Sequence, residues 1–188
     1  MQRGLRLEYV TLSWNIVGTI VVILAAVTAR SVALAGFALD SVIEMFASVV
    51  VVWQLQGSGK NREQRALRLI GAAFFALALY IIVQSANTLF SQTHPDRSLV
   101  GMVWLMATLI AMLLLAWGKH QTGEQLSNPV LLTEGRVTLV DAYLAGAVLI
   151  GLLLNTVFGW WWADPVAALV VVYYGIREGW HAWHEGIW

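Results

Sequence analysis

The sequence contains six stretches of about 20 mainly apolar residues each. This is the length that a helix needs to cross the bilayer core, so these stretches restrict the possible folds more than any other feature. They lie near 9–28, 32–54, 67–90, 99–117, 131–158 and 162–183 of the 188 residues. Because 59% of the residues are hydrophobic and only 12% charged, a soluble domain could not keep so much apolar surface from water. The sequence predicts an all-α, polytopic membrane protein of six transmembrane helices. They form a single domain, 1–188, with no soluble C-terminal domain.

The basic residues predict the orientation of these spans. In the six-span arrangement, Arg30 and Arg97 fall on one side of the membrane and the other nine basic residues on the opposite side. Short cytoplasmic loops are enriched in Lys and Arg, so the richer side should face the cytoplasm. Both termini are then cytoplasmic, in a multi-pass protein that we expect in the cell membrane. Lys119–Pro129 is polar and is predicted as the longest loop.

Three acidic residues lie inside the apolar stretches: Asp40, Glu44 and Asp141. A carboxylate in hydrocarbon costs about 2.5–3.5 kcal/mol on insertion scales, so such residues are rare and usually functional. No Lys or Arg is expected at their depth. Each acid must therefore be protonated, solvated in a polar cavity, or neutralised by an incoming ion, for which a divalent cation is the simplest candidate.

The spacing of these acids predicts one shared site. Asp40 and Glu44 are four residues apart, so they share one face of the second helix. At 1.5 Å per residue, Glu44 lies about 15 Å from the cytoplasmic end of its span and Asp141 about 15 Å into the fifth span. Glu44 and Asp141 should match in depth, with Asp40 one turn further out. The alternative is that each acid is protonated and hydrogen-bonds a neighbouring helix.

Other polar residues have structural interpretations. Glu134 is a candidate accessory ligand at the cytoplasmic entrance, or else a solvated helix-end charge near Arg136. Asp164 followed by Pro165 is typical of a helix start. The chain has no Cys, which excludes disulfides and thiolate metal sites. No nucleophile–base pair or phosphate loop is evident, so an enzyme is not expected.

Two segments resemble the cation diffusion facilitator family. The run 31–44, which contains Asp40 and Glu44, is similar to the family's second transmembrane helix, where two acids four residues apart bind metal. The run 162–169 is similar to the start of its sixth helix, and 133–146 to its fifth. The whole chain resembles the six-helix cation efflux transmembrane domain.

This resemblance implies a homodimeric exporter of divalent metal cations, usually zinc, often in exchange for protons. It makes Asp40, Glu44 and Asp141 the metal ligands. It implies no cofactor beyond the transported Zn²⁺ or Mn²⁺, and partners limited to the metal ion, protons, lipid and a second copy, with no nucleic acid. In the family a His commonly lies four residues before the fifth-helix Asp, where this chain has Val137. An all-oxygen site shifts the balance toward manganese or ferrous iron, although zinc also accepts carboxylates.

Two other functions remain open from the residues alone. The chain could be a non-transporting membrane binding or assembly protein, with protonated structural acids and small residues that support helix packing. It could also carry an organic cation, with some of its ten tryptophans supplying cation–π contacts.

Overall fold

A computed structural model describes residues 2–55, 60–125 and 129–185. These residues form six α-helices and no strand, which confirms the all-α prediction. The helices are α1 (Gln2–Ala29), α2 (Val32–Leu55), α3 (Lys60–Phe90), α4 (Leu99–Gln125), α5 (Pro129–Phe158) and α6 (Ala163–Glu185).

Four of the described helices contain a segment long and apolar enough to cross a membrane: Tyr9–Ala29, Leu67–Phe90, Leu99–Gln125 and Val137–Phe158. The described apolar part of α2, Val32–Ile43, is shorter. Their outer faces carry many exposed large apolar side chains, as lipid-facing surfaces do. The chain is an integral, multi-pass membrane protein. That α2 and α6 also span the bilayer stays a prediction.

The predicted loop Lys119–Pro129 is wrong for most of its length, because α4 continues to Gln125. The polar residues there still follow a helical pattern. Lys119 and Thr122 are buried, whereas His120 and Glu124 are exposed and face each other across one turn at 3.7 Å. A helix with one buried and one solvated face does not need an apolar sequence throughout.

Helix α2 lies at the centre of the bundle, in contact with α1, α3, α5 and α6. The most extensive contacts are within the pairs α4–α5 and α3–α6. Small residues permit the second pairing: a Cβ added at Gly71 would lie 3.0 Å from the carbonyl oxygen of Gly179. Such close backbone approach is common between membrane helices, where packing rather than water exclusion favours association.

The connections α1–α2 (Arg30–Ser31), α3–α4 (residues 91–98) and α5–α6 (residues 159–162) mark what we call the short-loop end of the bundle. The three helices that arrive there end with a left-handed residue: Arg30 (φ 51°), Gln92 (φ 50°) and Gly159 (φ 69°). The next N–H then bonds back to the last turn, as from Ser31 to Ala26 O at 3.2 Å. This termination satisfies carbonyl groups that would otherwise be unpaired near the bilayer.

Candidate metal site in the helix bundle

Asp40 is buried in the ninth position of α2, with 6% of its surface exposed. The helix around it is apolar and also buried, from Ala33 and Leu34 to Ala38. Asp40 takes part in a polar interaction within the protein. Burial of a carboxylate among such residues costs free energy unless the group is paired, so its retention here indicates a specific role.

Asp141 is buried on α5, with 8% of its surface exposed. Its neighbours Ala142, Leu144 and Ala145 are almost wholly buried, and Ala142 packs with Met112 and Leu115 of α4. Helix α5 also contacts α2. Asp141 also takes part in a polar interaction. Two of the predicted ligands therefore lie inside the protein on helices that touch each other.

Contacts near the short-loop end give reference points for distances along the helices that carry these acids. Gly151 of α5 packs against Ala163 of α6, and the adjacent Asp164 binds the start of α2 at Val32. Asp141 is ten residues from Gly151, or about 15 Å along α5. Asp40 is eight residues from Val32, or about 12 Å along α2, and Glu44 about 18 Å. The predicted match in depth between Glu44 and Asp141 stays a prediction.

Glu44 and Glu134 lie on α2 and α5, but their side chains are outside the described part of the structure. Among the side chains that are described, no group of three or more His, Cys, Asp or Glu is close enough to hold a metal ion. The full predicted set of Asp40, Glu44 and Asp141, with Glu134 as an accessory ligand, stays a prediction.

The α5 face that carries Asp141 does not bury Val137. Val137, four residues before Asp141, is 44% exposed, whereas Thr138, three residues before it, is 2% exposed. Thr138 also takes part in a polar interaction. Val137, at the position where the family commonly has His, is therefore partly exposed in this chain. The buried side chain one turn before Asp141 is that of Thr138, which carries a hydroxyl group.

Lys119 is a buried charge that the sequence interpretation missed. It was expected in a cytoplasmic loop, but it lies on α4 with 0% of its surface exposed and takes part in a polar interaction. A Cβ added at Gly135 of α5 would lie 3.4 Å from the Lys119 Cβ. The signal available in the sequence was its i, i+3 and i, i+4 relation to Ala116 and Leu115, which continues the buried face of α4.

The start of α2 is capped by two side chains. Ser31 Oγ accepts the N–H of Leu34 at 3.1 Å and donates to the Asp164 carboxylate. Asp164 Oδ2 accepts the N–H groups of Val32 at 2.9 Å and Ala33 at 3.3 Å. Asp164 was expected to mark the start of its own helix. It does lie in the first turn of α6, but its carboxylate caps α2, where the helix dipole favours negative charge.

A cavity of about 10 Å³, close to the space for one water molecule, lies between α1, α2 and α4. Its polar lining includes Asn15, Thr19 and Thr108, together with Ser41, which follows Asp40 in the chain. Trp14 Nε1 donates to Thr108 Oγ1 at 3.1 Å, and this indole stacks on Trp104. Both indoles line the cavity.

A second cavity, of about 340 Å³, opens at the short-loop end between α1, α2 and α3. Arg30, Gln84, Asn87 and Thr93 are among its lining residues. Asn155, another amide of the apolar stretches, instead donates to the Pro95 carbonyl at 3.0 Å and fastens α5 to the α3–α4 connection. Gln84 and Asn87 therefore line a polar cavity, whereas Asn155 makes a structural hydrogen bond.

The bundle of apolar helices with acids in its interior defines a polytopic membrane protein. Residues 9–187 match the cation efflux transmembrane domain. The chain belongs to this family, which confirms the resemblance found in the sequence.

Several characterised or named proteins are similar to it. An uncharacterised transporter of Synechocystis is 27% identical over 168 residues, 84% of this chain and 54% of the relative. The cadmium, cobalt and zinc/H⁺-K⁺ antiporter of Bacillus subtilis is 30% identical over 131 residues, 68% of this chain and 41% of the relative. Transmembrane protein 163 of Xenopus laevis is 27% identical over 149 residues, 73% of this chain and 52% of the relative. The chain spans about half the length of these relatives.

Proposed function

We propose that this protein transports divalent metal cations across the cell membrane, with zinc as the first candidate and manganese or ferrous iron next. One observation carries the proposal. Asp40 and Asp141 are both buried, on two contacting helices of a cation efflux domain. The name of the Bacillus subtilis relative, an antiporter of cadmium, cobalt and zinc, supports the same class of cargo.

The ligand chemistry favours a hard or borderline divalent ion. Asp40, Glu44 and Asp141 supply carboxylate oxygens. The chain contains no thiol, and the position of the family's His is Val137. Oxygen donors suit Mn²⁺ well, and Zn²⁺ also accepts them.

Exchange for protons follows from the same groups. A carboxylate binds either a metal ion or a proton, so protons that reach Asp40 and Asp141 would displace the metal. The metal would bind from the cytoplasmic side to the deprotonated acids, and the helices would then rock to open the site outward. We propose a homodimer as the working unit, as the family resemblance implies.

Flux measurements in liposomes test this function. Purified protein is reconstituted with an internal metal indicator, and Zn²⁺ or Mn²⁺ entry is followed under an imposed pH gradient. Asp141→Asn keeps the size of the side chain but removes the charge, so it should abolish flux. Asp96→Asn is the matched control, because Asp96 is exposed in the α3–α4 connection, and it should retain wild-type flux.

The opposite result has a clear meaning. If folded wild-type protein carries neither ion in either direction of the gradient, the transport proposal is wrong. A non-transporting membrane binding protein would then be the better description. Stabilisation of the fold by Asp40→Asn and Asp141→Asn would support that alternative, because neutral amides would replace costly buried carboxyls.

A further inference from the structure

Lys119 has the largest wholly buried side chain in the described part of the protein. A lysine is almost never fully buried unless it is paired, because its charge loses hydration. Replacing a buried charged group with a well-packed apolar one is often neutral or stabilising, so fold stability alone explains such a lysine poorly. A functional explanation is therefore required.

The register of α4 against α5 shows where Lys119 points. Leu109 lies near Gly146, Met112 packs with Ala142, and Lys119 lies opposite Gly135, so the two helices are antiparallel. Side chains lean toward the N-terminus of their helix, which for Lys119 is the direction of Met112 and the short-loop end. Asp141 lies in that same direction from Gly135, six residues or about 9 Å further along α5. The ammonium therefore extends from the cytoplasmic side toward the level of Asp141.

We propose that Lys119 sets the charge selectivity of the carboxylate site, an inference that rests on the proposed metal transport. Asp40, Glu44 and Asp141 carry three negative charges when ionised, and Lys119 carries one positive charge. The four groups together leave a net charge of −2. One divalent cation neutralises this set, whereas a monovalent ion leaves it negative and a trivalent ion makes it positive.

Coulomb's law gives a quantitative signature for this role. The repulsion between the ammonium and a bound ion is proportional to the charge of the ion. Removing the ammonium should therefore strengthen the binding of every cation, and the logarithm of the gain should be about one and a half times larger for a trivalent ion than for a divalent one. A lysine that only supports packing would not produce this dependence on ion charge.

The test compares Mn²⁺ and Tb³⁺ binding to the full-length protein in nanodiscs. Tb³⁺ binding is read from its luminescence excited through nearby tryptophan, and Mn²⁺ binding from competition with Tb³⁺. Lys119→Met and Lys119→Gln should bind Mn²⁺ roughly 10- to 100-fold more tightly and should increase the preference for Tb³⁺ further. Lys119→Arg, which keeps the charge, should remain close to wild type in the ratio of the two affinities.

Two controls separate the possible failures. Arg68→Met removes an exposed positive charge on α3 and should leave both affinities unchanged. Asp141→Asn shows whether the ions occupy the carboxylate site. If the wild type has no Asp141-dependent ion binding, the proposed function itself fails. If the wild type binds at this site but the neutral Lys119 variants keep its Mn²⁺ affinity and its Tb³⁺ to Mn²⁺ ratio, only the role of Lys119 is overturned.

Discussion

Asp164 Oδ2 accepts the backbone N–H of Val32 at 2.9 Å, which joins the first turn of α6 to the first turn of α2 across 132 positions of the sequence. The same carboxylate accepts the N–H of Ala33 and the hydroxyl of Ser31. The helix that carries Asp40 and Glu44 is therefore held in place at its beginning by a charge from another helix.

Asp164→Ala should destabilise the protein by about 1–3 kcal/mol, the usual cost of leaving buried donors unsatisfied. Asp164→Asn should cost less, since its amide oxygen can still accept one of the α2 N–H groups. Thermal unfolding in nanodiscs, followed by tryptophan fluorescence, measures both. Equal unfolding temperatures for Asp164→Ala, wild type and the exposed-loop control Asp96→Asn would show that the cap contributes nothing.

Gly151→Ala should destabilise the contact between α5 and α6. A Cβ at position 151 would lie 2.5 Å from the Ala167 Cβ and 3.0 Å from the Ala163 carbonyl oxygen, so one helix must move. Overpacking of this kind costs about 1–3 kcal/mol. Gly146→Ala on the same helix is the matched control, because its nearest neighbour is the Leu109 Cδ1 at 3.7 Å.

The two glycine variants should differ in their effect on the unfolding temperature. Alanine at 146 meets only ordinary contact and gains about 1 kcal/mol of helix propensity over glycine. It should leave the protein unchanged or slightly more stable. A loss of stability at 146 as large as that at 151 would contradict the close α5–α6 packing.

Bound metal should stabilise the fold. A ligand that binds only the native state at 100 times its Kd adds about 2.7 kcal/mol to the free energy of unfolding. Saturating Zn²⁺ or Mn²⁺ should therefore raise the unfolding temperature of the wild type but not of Asp141→Asn. An equal rise in both proteins would place the ion elsewhere on the chain.

Val137→His should shift the preference of the site toward zinc. Position 137 is four residues before Asp141, and its half-exposed side chain leaves space for an imidazole. Zinc favours nitrogen donors more than manganese does, so the ratio of Zn²⁺ to Mn²⁺ affinity should rise about 10-fold. Tyr143→His, which puts the ring at an exposed position beyond Asp141, is the control and should leave the ratio unchanged. Identical ratios for both variants would mean that position 137 does not reach the site.

The sequence predicted the helical class, because in a bilayer every apolar segment must satisfy the hydrogen bonds of its own backbone. It also predicted the burial of Asp40 and Asp141. It did not predict the course of α4 beyond Trp117. The polar residues from Lys119 onward resemble a loop until the partner helix is known. Lys119 faces α5 at Gly135, and that contact is not visible in the sequence of α4 alone.

The role of Asp164 shows the same limit. Its position before Pro165 correctly indicated a helix start, but a capping pattern in the sequence does not identify which helix receives the carboxylate. That choice depends on the contact between α2 and α6, which brings together Val32 and Asp164 although most of the chain lies between them.

The attachment of α2 at Asp164 makes this helix a lever with its fulcrum at Val32. Any tilt of α2 during the proposed transport would displace a residue in proportion to its distance from that point. Glu44, about 18 Å from the fulcrum, should travel about one and a half times as far as Asp40, which is about 12 Å away. One small rotation would then draw the two carboxylates away from Asp141 by unequal amounts, so the metal ion would lose its ligands in sequence instead of all at once.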